Sequence, residues 1–384
     1  MYISEEQKEL SKIDADFIKK IKKAQAFAKD TLENQKERKK LEAIEELPRV
    51  QKPTYKSRLL KIENGVLVSS RTPSETVFIP AGVTEIGNEA FKAPKRLNIK
   101  IIFPDGLKRI GVSAFEGCED IFNMDVKDPD LCYYDGVWKD DEFGQFSRGF
   151  SQFPSSLEEI GDYAFRNAYK SNGYSRPLLE YVILPQNLKH IGKGAFMSSG
   201  IREVYIAGPH TVSEHCFSSS GLRKVIFGDK VKTIERIAFD GCNQLEKILF
   251  GSNIKEIGDY AFCFCLSLKK LELPNALEKI GKGAFSECGR LTSVEIPNSV
   301  TEIGENAFTK CKSLQKVKLG TGITTIPSCC FSNCTNLKKV EIPASVTAMD
   351  HLAFKNCNKL TIYAPAGSYA EQYAKENNIQ FEAI

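Results

Sequence analysis

The stretch Val300–Val317 reads VTEIGENAFTKCKSLQKV. Twenty-three residues earlier the chain reads LEKIGKGAFSECGRLTSV, and twenty-three later ITTIPSCCFSNCTNLKKV. Anchored on the Phe of the Ala-Phe pair, the unit recurs at Phe91, Phe115, Phe165, Phe196, Phe217, Phe239, Phe262, Phe285, Phe308, Phe331 and Phe354. The gaps are 24, 50, 31, 21, 22 and then 23 five times. A fixed period in this range is the mark of a stacked array, in which each unit is one coil and buries its apolar face only against its neighbours.

One unit can be converted into local structure. Its apolar positions are Leu277, Ile280, Ala284, Phe285, Cys288, Leu291, Val294 and Ile296, followed by Pro297. Val294 and Ile296 alternate with period two, so they predict a short strand with one face buried. Pro297, or Gly228, Gly251 and Gly320 at the equivalent place, stops that strand. From Leu277 to Cys288 the inward residues step by three and four, which predicts a return arm built of turns or a short helical turn. The fold class is therefore a repeat solenoid, with a parallel β-sheet on one face and short turns or helical arms on the other.

The chain holds twelve cysteines, and seven follow the repeat: Cys118, Cys242, Cys265, Cys288, Cys311, Cys334 and Cys357 each lie three residues after the anchor Phe. A free Cys is a small, often buried hydrophobe with a weak S–H donor, so these predict a buried column set against backbone carbonyls. No Cys-x-x-Cys pair has a matching second half, and the sequence predicts neither a metal site nor a cofactor. Cys216 and Cys330 replace the Ala of the Ala-Phe pair. Unpaired thiols in this number favour a reducing compartment, or at least deep burial.

The units resemble the BspA-type leucine-rich repeats, whose pattern is roughly Leu-x-x-Ile-x-Ile-Pro-x-x-Val-Thr-x-Ile-Gly-x-x-Ala-Phe-x-x-Cys. Leu291 to Cys311, LTSVEIPNSVTEIGENAFTKC, matches it at nearly every position. The resemblance covers about Lys61 to Ile384 and is most specific over Gly221 to Leu360. It implies a solenoid without catalytic residues, a role in protein binding or microbial adhesion to host or matrix ligands, and a cell-surface or secreted location. The N-terminal sequence MYISEEQKELSKIDADF has no apolar h-region, which favours the cytoplasm instead.

Three regions depart from the repeat. Residues 1–50 carry Leu10, Ile13, Phe17, Ile21, Ala24 and Ala28 at three- and four-residue steps, which predicts an amphipathic helical segment. It caps the first coil, pairs with Leu41, Ile44 and Leu47, or binds a partner helix. An insertion at about 119–156 within the solenoid (51–384) holds the only tryptophan, Trp138, among Tyr133, Tyr134, Phe143 and Phe146. Aromatic side chains of this kind anchor interfaces, or pack an insertion onto its own solenoid. A cap is predicted at about 361–384, with Ser368 and Glu371 as a capping box, Tyr369 and Tyr373 on one face, and Asn377 as the stop.

The residue between the two buried strand positions points outward. Along the array it is Ile183, Tyr205, Ile226 and Leu249, then Glu272, Glu295, Lys318 and Glu341. A flanking column reads Tyr181, Glu203, Lys224, Lys247, Lys270, Ser293, Lys316 and Lys339. The expectation is an exposed apolar stripe over the middle coils, with Tyr205, Lys224, Ile226, Lys247 and Leu249, and Trp138 from the insertion, as residues that bind a protein partner of unknown identity. The alternative is that the insertion or the N-terminal segment folds over the stripe. A net charge of +4 from 53 basic and 49 acidic residues is too even to point to nucleic acid, and no apolar run is long enough to span a membrane. Gly192-Lys193-Gly194 and Gly281-Lys282-Gly283 fall at the repeat turn without a following Ser or Thr, so they are not phosphate loops. His215-Cys216 is the only His–thiol neighbour, and it sits at a buried repeat position.

Overall fold

The computed structural model describes residues 60–70, 76–91, 98–118, 120–126, 150–168 and 181–384. The chain divides into two units, Met1–Lys56 and Ser57–Ile384, and every described residue belongs to the second. The predicted N-terminal helical segment lies outside the described residues.

Each coil has the same plan. In the coil of Phe331, strand Lys316–Lys318 buries Val317, the chain turns at Gly320, and a two-residue strand Thr325–Ile326 buries Ile326. Turns then carry it through Cys330, Phe331 and Cys334, all fully buried, into the next coil. Wider strands stack in parallel register, for example Val294↔Val317↔Val340↔Ile362. The two-residue strands form a second parallel column, Ile234↔Ile257↔Ile280↔Ile303. Of the two forms expected for the return arm, turns are what the described residues show, and the second parallel column is a feature the sequence reading did not include. Two residues are too short for an alternation to show in sequence.

The arms turn instead through left-handed backbone. Non-glycine residues with positive φ sit two before the anchor Phe (Ser113, Tyr163, His215, Ile237, Tyr260, Asn306) and two after it (Asn167, Ser198, Phe264, Lys310, Asn333, Asn356). A sharp corner on each side lets the Phe point inward while the chain doubles back. Such φ values cost most for a β-branched residue, so Ile237 at 60° is held there by its neighbours rather than by preference.

The anchor rings make one continuous column. Ten successive pairs from Phe91 to Phe354 stack with centroids 4.9–5.5 Å apart and planes within 17°. Each anchor N–H from Phe91 to Phe331 also donates to the carbonyl one coil on, as Phe285 N does to Ala307 O at 2.8 Å. Beside them run the seven repeat cysteines, buried, each Sγ donating to the carbonyl of the Phe one coil back at 3.1–3.5 Å. The column does not break at the insertion: Phe115 and Phe165, fifty residues apart, stack at 5.1 Å and 9°. The described parts of the predicted insertion include the strands Asp120–Val126 and Phe150–Gln152, and residues 127–149, with Trp138, lie outside the described residues.

Both ends are finished by local structure. Leu60–Glu63 and Val66–Ser70 form an antiparallel hairpin through Asn64-Gly65, with φ 49° and 78°, the turn that the strand twist requires. At the other end, helix Tyr369–Glu376 is N-capped by Ser368, which accepts from Glu371 N, while the Glu371 carboxylate accepts from Gly367 N at 2.7 Å. Asn377 ends the helix, its side-chain amide donating to Tyr373 O. The buried stripe is Ala370, Tyr373 and Ala374, whereas Tyr369 is exposed, so the two tyrosines do not share the packed face. Tyr373 stacks edge-on to Phe354 and closes the ring column.

Glycines in the arm explain one sequence pairing. Gly283 has φ +60°, and a Cβ there would lie 2.4 Å from the Tyr260 ring of the preceding coil; Gly194 stands in the same relation to Tyr163. Gly283→Ala is expected to cost about 1–3 kcal/mol, from the left-handed backbone and the ring clash. Tyr260→Ala in the same chain should recover the clash but leave about 1 kcal/mol of backbone strain. Chemical denaturation of the two single variants and the double variant measures both terms, and equal costs with and without the tyrosine would refute the pairing.

Candidate functional site

The outward side of the wide strands is the broadest regular surface that the repeat builds. Parallel register places Ile183↔Tyr205↔Ile226↔Leu249 in one outward column and Glu203↔Lys224↔Lys247 beside it. Their inward neighbours Val204, Ile206 and Val225 are fully buried, so the alternation holds.

Accessibility differs from the expectation of an open stripe. Tyr205, Lys247 and Leu249 are half-buried, but Ile226 retains 9% of its surface and Lys224 only 6%, as little as many core residues. Register alone fixes direction and says nothing of what lies above, which is why the sequence left an open and a covered stripe as alternatives. Arg202, Glu203, Tyr205, Lys224 and Lys247 are each engaged in polar, ionic or ring interactions. Burial pulls the Lys247 ammonium below the usual lysine range, with Glu272 opposing that shift. Trp138 lies outside the described residues.

Toward the C-terminus the same columns turn charged and self-neutralising. Lys318 pairs with Glu295 at 2.8 Å, and Glu341 meets Lys339 at 3.1 Å and Lys316 at 3.6 Å. The Lys339 hydrogen bond holds the Glu341 carboxyl below the usual carboxylate range. Lys339 also lies 4.2 Å over the Tyr363 ring. These glutamates offset the stacked lysines, so this half presents mixed, satisfied charge, while the apolar column is confined to the middle coils.

The groups weighed for chemistry resolve into structure. Lys193 N and Lys282 N donate to Asp162 and Asp259 carboxylates of the preceding coil at 2.8 Å, so the Gly-Lys-Gly turns bind their neighbours. Cys216 is fully buried, and burial pushes its thiol well above its ordinary range. Burial likewise raises the thiols of Cys242 and Cys357 to about 12. Two features escaped sequence reasoning. Buried Cys263 bonds the Asp240 carboxyl, and burial raises both groups. Phe264 and Leu266 are exposed at 47% and 44% on the turn side. The only signal was FCFCLSL, where apolar residues occupy slots that other coils fill with Gly, Asn or Lys. Among the described residues no group of His, Cys, Asp and Glu is placed to hold a metal ion, and no helix is long and apolar enough to cross a membrane.

Comparison with known proteins adds the following. A family model described as the BspA type leucine rich repeat region matches in six copies, over residues 50–135, 150–246 and 232–361. Among solved structures, the chain is similar to a leucine rich cell surface protein from Faecalibacterium prausnitzii A2-165, at 22% identity over 85% of this chain and 92% of that one, TM-score 0.40. It is also similar to a leucine-rich repeat protein from Bacteroides ovatus ATCC 8483, at 20% identity over 88% and 100%, TM-score 0.48. A third is the T. pallidum leucine rich repeat protein TpLRR, at 27% identity over 54% and 88%, TM-score 0.38. No curated protein matches the chain.

Thiol reactivity tests the structural reading of the cysteines, because the thiolate is the nucleophile. In the folded protein at pH 8, iodoacetamide should label Cys216 and the seven column cysteines about 100-fold more slowly than in guanidinium, since burial keeps them protonated. Cys329, which is partly exposed, should label faster. Peptide mass spectrometry reads each site, and native labelling of Cys216 at its denatured rate would reopen a nucleophilic role.

Proposed function

The chain belongs to the BspA-type leucine-rich-repeat family, and from that membership and the chemistry of its strand face we propose that it is a non-enzymatic scaffold that recognises a protein partner. Leucine-rich-repeat scaffolds are generally non-catalytic, and the cysteines and Gly-Lys-Gly turns considered for catalysis serve coil packing.

The observation that carries the reading is the in-register apolar column Ile183, Tyr205, Ile226 and Leu249 at outward strand positions. Four coils place apolar side chains where the C-terminal coils place paired charges. An aromatic ring and branched aliphatics next to lysines match the anchor-and-rim composition of protein interfaces. The binding residues are then Tyr205, Ile226 and Leu249 as the apolar centre, with Lys224 and Lys247 beside them.

Burial decides which variants test it. Ile226→Glu would force a charge into a covered site, whereas Tyr205 and Leu249 are half-buried and can be changed without opening the core. Pull-down from the native cell lysate should recover a partner with the wild type and lose it with Tyr205→Ala/Leu249→Glu. The purified partner should bind the variant about 30-fold more weakly, the consequence of losing about 2 kcal/mol at an interface anchor. A partner held equally by both folded proteins would refute the strand-face assignment.

A further inference from the structure

We propose that the C-terminal coils carry a second interaction surface, a basic edge that binds a linear acidic polysaccharide along the array. The edge is the stretch of each coil between the column cysteine and the wide strand. In five successive coils it comprises residues 266–270, 289–293, 312–316, 335–339 and 358–362. These stretches hold eight bases and no acid, although the whole chain has 49 acids to 53 bases. Charge that is balanced overall is therefore separated here, and a one-signed strip concentrates the opposite charge from solution.

Coil stacking brings the five stretches side by side. The spine is a backbone ladder: Thr292 N donates to Lys269 O at 3.2 Å, Gln315 N to Thr292 O at 2.8 Å, Lys338 N to Gln315 O at 3.0 Å and Thr361 N to Lys338 O at 2.9 Å. Next to it the Asn336 amide donates to Lys312 O at 2.9 Å, and Lys359 Nζ donates to Asn336 Oδ1 at 2.8 Å. Glutamates at outward strand positions neutralise part of the strip, where Lys270 meets Glu272, and Lys316 and Lys339 meet Glu341. Lys269, Arg290, Lys312, Lys338 and Lys359 are exposed, and among the described residues none of these five has a carboxylate partner. That leaves one unneutralised base on every coil. The ring column beneath advances 5.4–5.5 Å per coil, so the five span about 22 Å. Like charges held in register repel unless something offsets them. A polyanion lying along the array meets one base at each step.

The remaining residues of the strip select the class of polyanion. Nine of the 25 are Ser, Thr, Asn or Gln, and none is Phe, Tyr or Trp. Short polar side chains such as Thr292, Ser313 and Asn336 exchange hydrogen bonds with sugar hydroxyls. Single-stranded nucleic acid is held by bases stacked on aromatic rings, which the strip lacks. The edge is separate from the apolar column and does not rest on it.

The purified chain is titrated with fluorescein-labelled heparin, which carries sulfates, and with hyaluronan, which carries only carboxylates. The salt is about 0.15 M, where diffuse surface charge is screened. The wild type should bind at least one of the two, and the one bound identifies the anion. Lys269→Ser/Arg290→Ser/Lys312→Ser/Lys338→Ser/Lys359→Ser should bind about 50-fold more weakly, from the loss of five exposed charge contacts. Lys189→Ser/Lys230→Ser/Lys232→Ser/Lys255→Ser/Lys282→Ser removes five exposed lysines outside the strip for the same net charge. It should stay within about twofold of the wild type. Circular dichroism confirms that each variant is folded. Binding of neither polysaccharide, or an equal loss in the two five-site variants, would overturn the proposal. So would equally tight binding of oligothymidylate or polyglutamate that only the strip variant loses, which would make the ligand a nucleic acid or an acidic protein segment. Tyr205→Ala/Leu249→Glu should bind the polysaccharide like the wild type, so the edge and the strand face can fail separately.

Discussion

Stacking of the anchor phenylalanines is the constraint to which the rest of the solenoid answers. Each ring lies almost parallel to the next, and the same residue's N–H bonds the following coil, so side chain and backbone enforce one spacing together. Aromatic pairs contribute about 0.5–1.5 kcal/mol beyond the burial of their surface, and here the term repeats at every coil junction. Because the rings fix the separation, everything outboard of them must fit it. Ala or Cys precedes the Phe because only a small side chain fits between coils, and corners with positive φ stand two residues to either side. Spacing between anchors is free by comparison. Fifty residues between Phe115 and Phe165 leave the stack as tight as twenty-three do.

How much of this was legible in sequence follows from what each contact depends on. Phe285, Cys288, Val294 and Ile296 were readable because a buried position recurs with the coil and tolerates few residue types. The cap helix was readable because Ser368, Glu371 and Asn377 act within one turn of the residues they cap. The thiol column was readable as burial, and the carbonyl it bonds could be anticipated in kind though not in identity. The two-residue strands such as Thr325–Ile326 were not readable, because pairing between coils leaves no periodicity inside one coil. The left-handed corners were masked by their occupants: Ile237, Tyr260 and Phe264 are poor advertisements for positive φ. The low exposure of Ile226 and Lys224 was left as one of two alternatives, since direction along a pleat follows from the residue's own strand whereas burial depends on what packs against it.

The cysteines show how position can cancel chemistry. A thiol is a nucleophile only as a thiolate, and a fully buried site beside a neutral carbonyl favours the protonated form. Packing converts the most reactive side chain in the sequence into an inert filler with one weak hydrogen bond per coil. The strand face reverses this emphasis. Its wide strands keep an invariant inner face for the core, and the outer residue of each coil is released from that duty. The array can therefore carry an apolar column over four coils and salt-bridged charge over the next without altering the fold.

The tyrosine of Asp-Tyr-Ala-Phe and the glycine of the following Gly-Lys-Gly-Ala-Phe occur together twice, at Tyr163 with Gly194 and at Tyr260 with Gly283. In both places Asp also accepts from the next coil's Lys N–H. The inheritable module at these points is therefore a couple of coils, lock and keyhole together, rather than one. A recombination event that cuts between the two members would set a ring against a side chain it cannot pass, whereas one that cuts on either side of the couple would leave every junction matched. The array can lengthen or shorten by whole couples there, and its grammar is written in junctions rather than in coils.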